Sequence, residues 1–168
     1  MEDPFAVLGV EPRFDLDMDR LHARFIELSA RTHPDRFADP LEQAEATDRA
    51  SRLNEAYRIL TEPEKRADAL LRLHGGPARE DDKSLPPDLL MQMMEVRERM
   101  EEAVASRDAD ELAELRQWAE DQRREHLARV AKLFDGGVTN DSAKAIRLEL
   151  NALRYFERMI EQMPPPAE

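Results

Sequence analysis

No cysteine occurs anywhere in the chain. That absence excludes disulfides, thiolate metal sites and cysteine nucleophiles, and it suits a reducing compartment. Glycine is scarce, at 5 of 168 residues, and no glycine-rich phosphate loop is present, so the chain is not expected to bind ATP itself. Aromatic residues make up only 5%, too few for a large aromatic core. No apolar run approaches membrane-spanning length. Positive charge is in deficit: the net charge of −12 argues against a general nucleic-acid binder, which needs a basic face to displace counterions. The opening Met1-Glu2-Asp3-Pro4 is acidic and lacks a signal or transit pattern, so a cytoplasmic protein is expected. The four histidines, His22, His33, His74 and His126, have no metal-ligand spacing with one another or with carboxylates. The last helical stretch also lacks the Glu-x-x-His pairs of di-iron bundles. Neither a metal nor another cofactor is expected, and no catalytic constellation emerges.

What the chain does have is helical periodicity. Leu, Ala, Glu and Arg are frequent, and no stretch is rich in β-branched residues, so an all-α fold is expected. Asp3 and Pro4 open a short helix through Phe5 and Leu8 that Gly9 ends. Asp17 caps a helix over about 18–32, whose inner face carries Met18, Leu21, Phe25 and Leu28. A third helix, about 41–61, holds Ala46, Ala50, Leu53, Tyr57 and Leu60 and starts only after Pro40. A fourth begins at Pro63 and stops at Gly75-Gly76-Pro77. Residues 77–86 are polar and acidic and read as a linker between a first domain, 1–76, and a second, 87–168. The second domain has helical patterns over about 87–106, 109–134 and 141–163. The middle one is capped by Asp108 and the last by Asn140 or Asp141. Short connections make these a three-helix bundle.

Between the second and third helices stands His33-Pro34-Asp35. Pro34 ends the preceding helix, because proline disfavours the α conformation before it and supplies no amide hydrogen. The back of that helix carries Arg20, Arg24, Glu27 and Arg31 at spacings of three and four. Read alone, such a stripe is a solvated face laced with ion pairs. Beside the tripeptide, on a strongly acidic protein, it also reads as a basic docking strip.

The first bundle helix has more apolar residues than one face can hold. Leu89, Met93, Val96, Met100 and Ala103 form the inward stripe. Leu90, Met91 and Met94 lie roughly 100° to 200° around from it, on a face that Glu95, Glu98 and Glu102 continue. An apolar trio rimmed by carboxylates reads as a partner surface, and methionine's flexible thioether suits one. The competing reading packs this face against another part of the chain. On the last helix, Ile146, Leu150, Leu153 and Ile160 face inward, while Tyr155 and Leu148 share the back. Tyr155 gains meaning only if it lies next to Leu90 and Met94.

The helical hairpin with His33-Pro34-Asp35 at its head, preceded by Phe5-Ala6-Val7-Leu8-Gly9-Val10, resembles a J-domain over roughly residues 3–75. With Ala69-Leu70-Leu71-Arg72-Leu73-His74-Gly75 and the run from Leu89 to Glu98, the chain is similar to the HscB family of iron–sulphur co-chaperones (Jac or Hsc-twenty in eukaryotes). The weakest match lies between residues 105 and 145. The resemblance implies a J-domain that stimulates ATP hydrolysis by an HscA/DnaK-class chaperone, and a C-terminal three-helix bundle that holds an IscU-type scaffold. It implies chaperone contact by His33, Pro34, Asp35, Arg20, Arg24 and Arg31. It implies scaffold contact by Leu90, Met91, Met94, Glu95, Glu98, Glu102 and Tyr155. Three departures stand out. The zinc module of some eukaryotic members is missing, Thr32 precedes the tripeptide where an aromatic is common, and methionine replaces some leucines of the bundle motif. The rival readings are a J-domain protein or holdase with another client, and a helical carboxylate metalloenzyme.

Overall fold

Asp3 sets the first element in place. Its side chain accepts the Phe5 amide hydrogen at 2.9 Å, and Pro4 occupies the first helical position, where its missing N–H costs nothing. The resulting α1 (Pro4–Leu8) ends at Gly9, whose φ of +63° glycine adopts without strain. A Cβ at Gly9 would also lie 3.2 Å from the Arg24 guanidinium. The computed structural model describes residues 2–165. Its further helices are α2 (Met18–Thr32), α3 (Pro40–Thr61), α4 (Pro63–Leu73), α5 (Pro87–Ser106), α6 (Ala109–Asp135) and α7 (Asn140–Gln162). The described residues contain no strand. The fold is all-α, as the composition implies. No helix is long and apolar enough to cross a membrane, among the described residues.

The chain divides into two compact units after Leu73. In the first, α2 and α3 form a hairpin on which α1 and α4 pack. Asp17 caps α2 through the Arg20 amide, and Asp39 caps α3 through the Leu41 and Glu42 amides. Pro40 is itself the first residue of α3, one position earlier than its helix-breaking character suggests, because the first turn needs no amide hydrogen there. Phe5, Leu8, Ala46, Leu60, Ala67 and Leu71 are fully buried, and each large apolar side chain among them contributes about 1.5–3 kcal/mol. The Phe25 and Tyr57 rings stack at 4.2 Å, and the Tyr57 hydroxyl lies 2.9 Å from His22 Nδ1. Arg66 is buried at the α3–α4 corner, where it donates to the Leu60 carbonyl at 2.6 Å and covers the Phe14 ring.

The second unit is the three-helix bundle. Val96, Leu115, Ala119, Met159 and Met163 form a cluster drawn from all three helices and the end of α7, with Met100, Trp118 and Ile160 packed against it. Trp118 meets Phe156 edge-on at 5.5 Å, a favoured aromatic geometry. Asp108 caps α6. The cap of α7 is Thr139, not Asn140 or Asp141: Thr139 Oγ1 accepts the Ser142 amide hydrogen and Ser142 Oγ accepts the Thr139 amide hydrogen. Serine here takes the role that Glu or Gln usually has in a reciprocal cap. Polar residues tie α6 to α7. His126 Nδ1 lies 2.5 Å from Glu149 Oε2, which also accepts from Arg129 Nε at 2.9 Å. Burial pushes the Glu149 carboxyl up, but these two bonds outweigh it and hold the group below the usual carboxylate range.

The polar stretch before α5 belongs to this second unit. Arg147, 1% exposed, donates to the Pro77 carbonyl at 3.0 Å. Asn151 donates to the Asp82 and Ser84 carbonyls at 3.0 and 3.1 Å. Its composition reads as a tether, yet α7 holds its backbone at three carbonyls.

Candidate functional site: an exposed loop and an open groove

The first candidate site is the α2–α3 loop. Ahead of Pro34, His33 adopts extended backbone (φ −65°, ψ 127°), as a pre-proline residue must. A single 3-10 turn, Pro34–Arg36, follows, closed by the Arg36 amide donating to the His33 carbonyl at 3.1 Å. Both flanks of the loop are secured. Thr32 Oγ1 donates to the Leu28 carbonyl, keeping α2 helical up to the tripeptide, and Arg36 donates to the Ala30 carbonyl at 3.0 Å. Gln43 donates to the Phe37 carbonyl at 2.8 Å. Between these anchors the polar heads stay out in water: the His33 and Asp35 side chains are 62% and 90% exposed. The Asp35 amide donates to His33 Nδ1 at 3.3 Å. A fixed backbone carrying solvent-exposed polar groups is the arrangement recognition loops use.

The arginine stripe is less uniform than its spacing implies. Arg20 is largely exposed and, among the described residues, pairs only with Asp17, at 3.2 Å. Arg31 pairs with Glu27 at 2.7 Å. Arg24 is half-buried: its Nε donates to the Leu8 carbonyl and its Nη1 to Glu27 at 2.7 Å. Glu27 is held below the usual carboxylate range by the hydrogen bond from Arg24 and the charge of Arg31. The stripe is therefore three cations interleaved with two anions, and one of the cations also fastens α1 to α2. Arg36, which the spacing argument passed over because it lies beyond the helix, closes the end of α2.

The second candidate site lies between α5 and α7. Leu90, Met93, Met94, Arg97 and Met100 from α5 face Tyr155, Arg158, Met159 and Gln162 from α7 across a groove of about 300 Å³. Leu90, Met94 and Tyr155 are thus brought together, although 65 residues separate Leu90 from Tyr155 in sequence. All three are exposed, at 45%, 69% and 42%. Met91, 66% exposed, does not line the groove. At 100° per residue it falls with Glu95, Glu98 and Glu102 on the adjoining strip of α5, and those three carboxylates are exposed as well. The face is an apolar groove bordered by an acidic strip rather than one patch. Leu148, expected beside Tyr155, instead lines a separate cavity with Gly75, Pro77 and Ser84. Arg97 and Arg158 complete the groove and were not among the residues read from sequence. The one signal was the position of Arg158 one turn beyond Tyr155. Among the described residues, no cluster of three His, Asp or Glu side chains could hold a metal ion.

Comparison with known proteins matches both units of the chain. A family model described as the DnaJ domain covers residues 3–68, and one described as the HSCB C-terminal oligomerisation domain covers residues 85–163. A co-chaperone protein HscB homolog of Burkholderia thailandensis is 38% identical over 158 residues, spanning 92% of this chain and 88% of its own. The chain belongs to the HscB co-chaperone family. The corresponding HscB homolog of Burkholderia multivorans is 36% identical over 162 residues, covering 95% of this chain and 90% of its own. Two solved HscB structures share the fold. Human co-chaperone HscB superposes with a TM-score of 0.83 at 25% identity, over 96% of this chain and 80% of that one. HscB from Vibrio cholerae does so with 0.80 at 26%, over 96% and 94%. The loop with His33 and Asp35 thus sits in an HscB J-domain, and the groove in an HscB C-terminal domain.

Proposed function

We propose that this protein serves iron–sulphur cluster assembly in the cytoplasm, presenting an IscU-type scaffold to an HscA/DnaK-class chaperone and stimulating that chaperone's ATPase. The observation that carries the reading is the open groove holding Leu90, Met94 and Tyr155 on a bundle whose companion unit exposes His33 and Asp35. We assign chaperone contact to residues 1–76 and scaffold contact to residues 87–168, with 77–86 joining them.

In this mechanism the chain lends no group to the hydrolytic chemistry. The loop and the arginines bind the chaperone's ATPase domain better in a hydrolysis-competent arrangement, and that difference in affinity shifts the population. Pro34 fixes the loop's backbone, Asp35 pairs with a chaperone cation, and His33 makes a polar contact at the junction. Arg20, Arg24 and Arg31 steer the encounter. On the bundle, Leu90, Met94 and Tyr155 take an apolar segment of the scaffold, while Met91, Glu95, Glu98 and Glu102 meet its basic border. Joining both contacts in one chain raises the scaffold's effective concentration at the chaperone.

Steady-state ATP hydrolysis by an HscA-class chaperone, with this protein, with IscU, and with both, tests the proposal. Stimulation by the pair should exceed the sum of the two alone. Stimulation by this protein that IscU does not raise would point to another client. No stimulation at all would remove the J-domain role.

A further inference from the structure

The groove between α5 and α7 is apolar at its floor, yet its charged lining is of one sign. Arg97 and Arg158 are the only ionisable side chains besides Tyr155 among the residues that line it. The two arginines differ in state. Arg97 Nε is bonded to Glu101 at 2.9 Å, one turn along α5. Arg158 is exposed and makes no hydrogen bond or ion pair among the described residues. The chain as a whole is acidic, with 37 acidic residues against 25 basic ones, yet no carboxylate lines this groove. Arg158 lies one turn from Tyr155, whose hydroxyl is likewise without a partner among the described residues. The strip bearing Glu95, Glu98 and Glu102 lies on the far side of Leu90 and Met94 from this cation.

We infer that Arg158 is a specificity-determining residue of the groove, receiving an Asp or Glu side chain that stands beside the apolar residue seated against Leu90, Met94 and Tyr155. The inference rests on the scaffold reading of the groove and adds a second charge condition to it. The partner segment is basic where it crosses the strip of glutamates and acidic where it reaches α7. A guanidinium is suited to that contact, because its planar fork engages a carboxylate through two parallel N–H donors. Two opposite charge contacts flanking an apolar anchor fix the direction in which the segment lies, which an apolar groove alone leaves open. The acidic group belongs to a side chain within the segment.

The test uses the full chain and an IscU-type scaffold, with binding measured by titration calorimetry at 50 mM and 500 mM NaCl. Arg158→Glu should weaken binding roughly tenfold or more at low salt, and the gap should narrow at high salt, where screening shortens the range of the interaction. Arg158→Lys should retain more affinity than Arg158→Gln, and all three should keep wild-type helicity because the side chain is exposed. Met94→Ala serves as the control for the groove itself. If Met94→Ala loses affinity while Arg158→Glu binds like wild type, the inference falls and the scaffold reading stands. A loss in Arg158→Glu that is the same at both salt concentrations also overturns it. If the wild-type chain does not bind the scaffold, both fall together.

Discussion

Arg24 on α2 donates its Nε–H to the carbonyl oxygen of Leu8, the last residue of α1, at 3.2 Å. Arg24, to which we assign a docking role, is therefore a fastener of the J-domain as well, and the proposed role and the structural one separate experimentally. Arg24→Ala should lower stability by about 0.5–1.5 kcal/mol through the lost hydrogen bond. Arg20→Ala removes only an exposed ion pair and should leave the melting temperature unchanged. Both should weaken chaperone stimulation at low salt. Full stimulation by Arg20→Ala at low salt would return the stripe to a solvated face.

The loop variants follow from exposure. His33→Gln and Asp35→Asn alter side chains that are 62% and 90% exposed, so thermal unfolding should be nearly unchanged while ATPase stimulation is lost. Normal stimulation by either variant contradicts the assigned role. A large fall in stability would instead make the tripeptide a structural element.

On the bundle, the triple variant Leu90→Ala, Met91→Ala, Met94→Ala should bind scaffold at least a hundredfold more weakly, since each side chain contributes about 1.5–3 kcal/mol when a partner buries it fully. It should stay folded, because these positions are exposed and alanine favours the helix. Among the single variants, Met94→Ala should cost more than Met91→Ala, because only Met94 lines the groove. Calorimetry and circular dichroism on the same samples decide it, and lost stability with intact binding would contradict the docking role.

Glu149 makes a prediction about pH. Its folded-state carboxyl titrates below the ordinary value of 4.5, so its contribution to stability is fully present above that value. It is lost as the pH falls from there through the lowered one. Glu149→Ala should cost about 1.5–3 kcal/mol at pH 7, leaving His126 and Arg129 without their acceptor. The gap between variant and wild type should shrink below pH 4.5. Thermal unfolding followed from pH 7 to pH 3 checks this, and a gap independent of pH would remove the charge from the explanation.

Much of this was legible in the sequence because it is local. Asp3, Asp17 and Asp108 are caps that announce themselves within three residues of the helices they start, and Gly9 ends α1 as its position suggests. The surplus apolar face of α5 follows from 3.6-residue geometry alone. The bond from Arg24 to Leu8, the hold of Arg147 and Asn151 on residues 77–84, and the presence of Arg158 beside Met94 were not legible. Each joins elements 16 to 70 residues apart, and helical periodicity carries no information about which back faces meet. The cap of α7 was misplaced for a smaller reason: Thr139, Asn140 and Asp141 are all good caps, and only the answering hydroxyl of Ser142 decides among them.

Trp118 is the chain's single tryptophan, and its edge-on contact with Phe156 places it at the junction of α6 and α7. Excited near 295 nm, where tyrosine and phenylalanine hardly absorb, the protein carries a built-in optical label confined to its C-terminal unit. Emission then follows the melting of the bundle alone, whereas the circular dichroism signal sums all seven described helices. A difference between the two midpoints would resolve the unfolding of the J-domain from that of the bundle without cutting the chain or attaching a dye.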